Sequence, residues 1–100
     1  MGELRSKTVA LTEDGIKRVP KNKTVVYKIK DLNGRNIYTG IAKRGSVISS
    51  LKEHLPTGGN PTAGGIKVQI QQKKTLTSAL RAKSKFINEE KPKYNHRKKV

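Results

Sequence analysis

The chain contains no cysteine and no tryptophan, one phenylalanine and seven acidic residues. Each shortage closes off a class of protein. Without cysteine there is neither a disulfide framework nor a thiolate metal site. Two histidines are too few to build a zinc site unaided. No apolar run approaches the roughly 20 residues that a membrane-spanning helix needs, so no membrane partner is expected. The first residues, Met1-Gly2-Glu3-Leu4-Arg5, lack the apolar core of a secretory signal, and the expected location is cytoplasmic. With hydrophobic residues at 32%, the core must be built from Val, Ile, Leu and Ala.

What the chain has in excess is positive charge. Twenty-three Lys and Arg against seven Asp and Glu give a net charge of +16 over 100 residues. A domain of that charge repels itself unless a polyanion is near. Nucleic acid is the usual polyanion, because neutralised phosphates release counterions. The expected partner is DNA, with RNA as the alternative.

The order of elements follows from periodicity and punctuation. Residues 1–22 are mixed and polar and read as a loosely ordered N-terminal arm, with a short helical turn at 13–17 that Thr12 would cap. Residues 24–30 are β-branched and aromatic, with Val25, Tyr27 and Ile29 on one face. Asp31-Leu32-Asn33-Gly34-Arg35 follows. Asn-Gly predicts a tight type I′ hairpin turn into a second strand over 36–41. Ser46 can cap a helix over 47–55 that buries Val47, Ile48, Leu51 and Leu55, and Pro56 stops it. Residues 56–65 hold four glycines and two prolines and read as a flexible loop. Residues 66–71 alternate as a third strand. Thr75 or Thr77 caps a last helix running to about Glu90, with Leu76, Leu80 and Ile87 as its stripe and Ala79 and Phe86 alongside. The expected fold is α+β, in the order β-β-α-β-α: a three-stranded antiparallel sheet that opens with a hairpin and is flanked by helices.

The hairpin places Val25-Val26-Tyr27 on one strand and Tyr38-Thr39-Gly40 on the next. A helix ending Leu51-Lys52-Glu53-His54-Leu55 comes after it, and the last helix leads into Lys91-Pro92-Lys93-Tyr94-Asn95. In this order the segments resemble the GIY-YIG nuclease family, with Val25-Val26 standing where the family has Gly-Ile. The resemblance covers residues 23–96 and leaves 97–100 as a basic tail. It implies a fold that cuts DNA at a single site. In such a site two tyrosines line a cleft, an arginine on the first helix holds the phosphate, and a glutamate on the second helix binds one divalent metal, Mg²⁺ or Mn²⁺. Carried over residue by residue, Tyr27 and Tyr38 match the tyrosines, His54 matches a histidine of the cleft, and Asn95 matches the closing asparagine. The arginine position is Ser50 and the glutamate position is Lys83. The implied site therefore lacks both charged catalytic groups, and no cofactor is expected unless the chemistry has been relocated.

Each singled-out residue has a plainer reading beside the functional one. Tyr27 and Tyr38 form a cross-strand aromatic pair by default. A histidine near a helix end is favoured there by the helix dipole. Lys83 falls on the inward stripe of the last helix, where a lysine either packs its stem and sends its head to water or meets a phosphate. Arg44, just after the second strand, can reach a phosphate from the loop. Glu53 is expected to face solvent, Arg81 points away from Lys83, and Glu89 and Glu90 lie nearly two turns beyond the glutamate position. Lys43, Arg44, Lys83, Lys91, Lys93, Asn95 and Arg97 are the expected nucleic-acid contacts. Two functions follow: a non-enzymatic domain that grips the phosphate backbone, or a metal-dependent endonuclease with moved catalytic groups.

Overall fold

The computed structural model describes residues 6–95, so Arg97 and the rest of the basic tail lie outside the described residues. The order is β1 (Ser6–Ala10), α1 (Glu13–Ile16), β2 (Thr24–Lys30), β3 (Asn36–Ala42), α2 (Val47–Lys52), β4 (Lys67–Lys73) and α3 (Leu76–Glu90). The protein is α+β, as the sequence predicts. Its sheet has four antiparallel strands, in the order β1-β4-β2-β3.

The additional strand comes from the segment read as a loose arm. Ser6–Ala10 pairs along β4, from Ser6 opposite Gln71 to Ala10 opposite Lys67. Val9 is its only buried side chain, so the period-two signal of a half-buried strand is missing from the sequence. The following residues are also part of the core. Leu11, Ile16 and Val19 are buried, and Thr12 accepts a hydrogen bond from the Gly15 amide at 3.0 Å to start α1 as expected.

Strand alternation sorts the sheet into two faces. Residues opposite each other share a face, so the pairs Tyr27–Gly40, Ile29–Tyr38 and Tyr27–Ile70 put these side chains on one side, the front. Here Val25, Tyr27, Ile29, Val68 and Ile70 meet Ile16 from α1 and Val47 and Leu51 from α2. The back face carries Val26, Lys28, Gln69 and Gln71, and α3 packs there. Lys28 Nζ lies 3.9 Å from the Phe86 ring centroid and 2.7 Å from Glu90 Oε2.

Four local expectations are corrected. The hairpin turn is not type I′: Gly34 alone has positive φ, at 81°. Its amide donates to Asp31 O, and Asp31 Oδ1 accepts from the Asn33 and Arg35 amides. Asp31 thus holds a type I turn closed by a glycine bulge. Helix α2 stops at Lys52, where the chain tightens to three-residue steps: His54 N donates to Leu51 O and Leu55 N to Lys52 O. Asn60 N then takes the Glu53 carbonyl and Thr62 N that of His54. Ser46 occupies the N-cap position without a side-chain cap bond. Helix α3 is capped by Thr75, which accepts from Ser78 N, but it is turned from the predicted stripe. Ala79 is buried, while Leu76 and Leu80 are 37% and 46% exposed. The contacts of Phe86 and Glu90 with Lys28 fix the rotation, and Ala79 allows close approach.

Candidate functional site

Tyr27 and Tyr38 leave adjacent strands on the front face, and His54 reaches them from just beyond α2. The Tyr27 and Tyr38 ring centroids are 6.2 Å apart; those of Tyr38 and His54 are 4.7 Å apart. Tyr27 Oη lies 3.0 Å from His54 Nε2. The other imidazole nitrogen, Nδ1, lies 3.1 Å from the Asn60 carbonyl and 2.8 Å from Thr62 Oγ1. A carbonyl only accepts, so Nδ1 carries the proton and is shared between these two oxygens. Nε2 is then the acceptor, and Tyr27 donates to it.

Gly40 makes this arrangement possible. It sits opposite Tyr27 on the neighbouring strand. A Cβ there would fall 2.7 Å from Tyr27 Cζ and Oη and 2.9 Å from Tyr38 Cε2. The Tyr27 ring lies across the space that any other residue would fill.

The cluster is neutral. Burial lowers the His54 pKa, against the opposing pull of the Asn60 carbonyl and the Glu53 charge. Burial raises the Tyr27 pKa, helped by Tyr38 and Glu53. Burial also raises that of Tyr38, with Glu53 adding to it. Tyr27 and His54 are enclosed, whereas Tyr38 is half-buried. Tyr38 is thus the member of the cluster that reaches solvent, with Tyr27 and His54 enclosed beside it.

Basic side chains flank Tyr38 along β3, an edge strand. Lys43 and Arg44 are exposed in the turn that follows it, where Ser46 N donates to Lys43 O and Gly45 adopts φ 89°. Lys91 and Lys93 are exposed in the segment that follows α3 and meets β3. There Tyr94 N donates to Ile37 O. Asn95 engages both backbone groups of Thr39, accepting from its N at 2.6 Å and donating to its O at 2.9 Å. Asn95 therefore closes the β3 edge, and its amide is committed to the fold. Lys83 is half-buried on α3. That helix covers the back face, so the sheet lies between it and the tyrosines. Ser50, on α2, is half-buried too.

Sequence reasoning missed the roles of four participants. Thr62 and the Asn60 carbonyl hold His54, so the loop read as flexible is anchored on the cluster. No sequence signal marks that anchoring beyond the loop's length and its proximity to His54. Gly40 could have been found from the Tyr-x-Gly spacing on a strand opposite another tyrosine. Glu53 is exposed, as expected, yet its charge reaches all three members of the cluster.

A divalent metal does not fit these donors. Among the described residues no three His, Asp or Glu side chains form a group that could hold a metal ion. The cluster offers one imidazole, its nitrogens already engaged, and one exposed carboxylate. No helix among the described residues is long and apolar enough to cross a membrane. Comparison with protein-family models, with curated proteins and with solved structures returned no match, so the reading of this cluster rests on its residues and geometry.

Proposed function

We propose that the chain is a nucleic-acid-binding domain of GIY-YIG-like architecture that grips the phosphate backbone and does not cut it. The observation that carries the reading is the neutral Tyr27–His54–Tyr38 cluster, set between the cations of the β3 edge. Lys43 and Arg44 follow one end of the strand, and Lys91 and Lys93 lie in the segment between Glu90 and Tyr94, which meets its other end at Asn36 and Ile37. A backbone running along this edge would meet ammonium and guanidinium groups on its phosphates and the Tyr38 hydroxyl as a neutral donor. No helix of the site is presented for reading bases, so affinity for DNA, and secondarily RNA, is expected to depend little on sequence.

Cleavage of a phosphodiester needs charge stabilisation where the phosphorus collects negative charge. The positions that supply it in the resembled family are Ser50, which is neutral, and Lys83, on the other face of the sheet. Losing one such stabiliser costs about 10²–10³ in rate. His54 accepts the Tyr27 proton in a hydrogen bond, but without a phosphate-directed cation or a metal-binding carboxylate set that relay has no reaction to serve.

Gel retardation of a duplex at rising salt tests the binding. The expectation is retention at low salt and a steep loss as salt rises, with the Lys43→Gln/Arg44→Gln variant weaker and shallower in slope. Salt-independent binding, or none at low ionic strength, removes the proposal. Incubation of supercoiled plasmid with Mg²⁺ or Mn²⁺ tests the chemistry. Nicking that vanishes in Tyr27→Phe or Glu53→Gln would restore the endonuclease reading.

A further inference from the structure

Helix α3 covers only part of the back face of the sheet. Beyond it Thr8 on β1, Lys30 on β2 and Gln69 and Lys67 on β4 face outward together. With the hairpin turn they line an open concavity, whose rim is Asp31, Leu32, Asn33 and Gly34. Two features of this surface mark it. Lys30 and Lys67 stand directly opposite each other across the β2–β4 pair, so two ammonium groups of like charge share one face, which is unfavourable. Leu32, at the hairpin tip, is 83% exposed.

The neighbouring carboxylates offset the pair only in part. Asp31 Oδ1 is taken by the Asn33 and Arg35 amides. Glu90 is close enough for the charge of Lys30 to act on it, but its two oxygens are held by Lys28 and Asn36. A polyanion laid over the concavity would resolve the repulsion, and Thr8 and Gln69 would add neutral hydrogen-bond partners. An apolar side chain beside a phosphate-binding pair suits a duplex, in which sugar edges border the phosphates along the minor groove.

We infer that this concavity is a second docking surface for a nucleic-acid duplex, with Lys30 and Lys67 on phosphates and Leu32 against the groove edge. It rests on the proposed nucleic-acid reading for the class of ligand, but on none of the residues of the tyrosine site. The two surfaces lie on opposite faces of the sheet, so one molecule would hold two duplex segments at once and bridge them.

The test is duplex capture by the full-length chain. A biotinylated DNA duplex is fixed to beads and loaded with protein, and a second, labelled duplex is then added. Wild type is expected to retain the labelled duplex. Lys30→Gln/Lys67→Gln is expected to bind the first duplex through the β3 edge but to lose at least tenfold in capture of the second. A two-phosphate contact also predicts that the log–log salt slope of the isolated back-face interaction, measured in Lys43→Gln/Arg44→Gln/Lys91→Gln/Lys93→Gln, falls by about 2 when Lys30 and Lys67 are also replaced. Leu32→Ser is expected to reduce capture without changing that slope. A labelled RNA duplex run in parallel separates the two sources of phosphate backbone; equal capture of both means that only the shared backbone is read. Unchanged capture by Lys30→Gln/Lys67→Gln overturns the second surface. Wild type that binds the fixed duplex and captures nothing further overturns it while leaving the β3 site standing, and wild type that binds no duplex at low salt overturns both. Replacing both lysines removes a like-charge contact, so a thermal melt of Lys30→Gln/Lys67→Gln no lower than wild type is expected and excludes misfolding as the cause.

Discussion

Gly40→Ala puts one methyl group into the centre of the site. The added carbon would sit 2.7 Å from Tyr27 Cζ and Oη and 2.9 Å from Tyr38 Cε2, against about 3.5–4.0 Å for an unstrained carbon contact. The methyl is fixed to a strand paired on one side with β2 and fastened at Thr39 by Asn95, so the rings must give way. Overpacking of this kind costs about 1–3 kcal/mol. Tyr27 cannot shift by most of an ångström and keep its 3.0 Å bond to His54. Loss of that bond leaves a buried acceptor unsatisfied, a further cost of about 1–3 kcal/mol. The total of roughly 2–6 kcal/mol is a large share of the about 5–15 kcal/mol that a small domain has in all. Tyr27→Phe separates the two parts, since it removes the hydroxyl and leaves the ring: about 1–3 kcal/mol is expected. Urea unfolding gives both values. Nitrogen-15 shifts of the His54 imidazole report whether Nε2 still accepts a bond. Gly40→Ala within 0.5 kcal/mol of wild type (roughly the scatter of a neutral surface substitution), with unmoved His54 shifts, would refute the placement of Tyr27 over Gly40.

Other perturbations test the surroundings of the site. Burial holds the His54 pKa below its ordinary 6.5, so the folded state prefers the neutral ring. The resulting stability is complete above pH 6.5 and is lost as pH falls through the lower folded value. The melting temperature should therefore drop on acidification below pH 6.5, and His54→Gln should flatten that part of the profile. Asn95→Ala leaves the buried Thr39 backbone without two partners. About 1–3 kcal/mol of destabilisation is expected, with faster hydrogen exchange at the Thr39 amide; protection equal to wild type would contradict the edge-closing role. Thr62→Val removes one of the two oxygens at His54 Nδ1 but leaves the Asn60 carbonyl. A loss near 1 kcal/mol, with looser protection at the Asn60 and Thr62 amides, would show that the loop is anchored on the histidine.

Much of the architecture was legible in local pattern. Val25, Tyr27 and Ile29 alternate strongly, Thr12 and Thr75 stand just ahead of helical runs, and Pro92 follows the last one. The fourth strand was not legible, because Ser6–Ala10 buries only Val9 and is held by pairing to β4, sixty residues away in sequence. The stripe of α3 was misread for a related reason. Hydrophobicity points to Leu76 and Leu80, but the back of the sheet offers Lys28, Gln69 and Gln71, and a helix against that surface turns its Ala79 and Phe86 inward. Of the residues expected to contact nucleic acid, Asn95 spends its amide on Thr39, and Lys83 is carried on the helix that covers the back of the sheet.

By itself the sequence determined the charge of +16, the α+β class, the β2–β3 hairpin and the two tyrosines on its adjoining strands. These follow from composition and from spacing within a dozen residues, where backbone periodicity alone fixes which side chains are neighbours. Only the tertiary structure decided that Tyr27 donates to His54, that the 56–65 loop supplies the oxygens that set the imidazole tautomer, and that Lys30 meets Lys67. Each of these depends on a contact between segments far apart in the chain, and such contacts are set by packing and strand register, which no local pattern records.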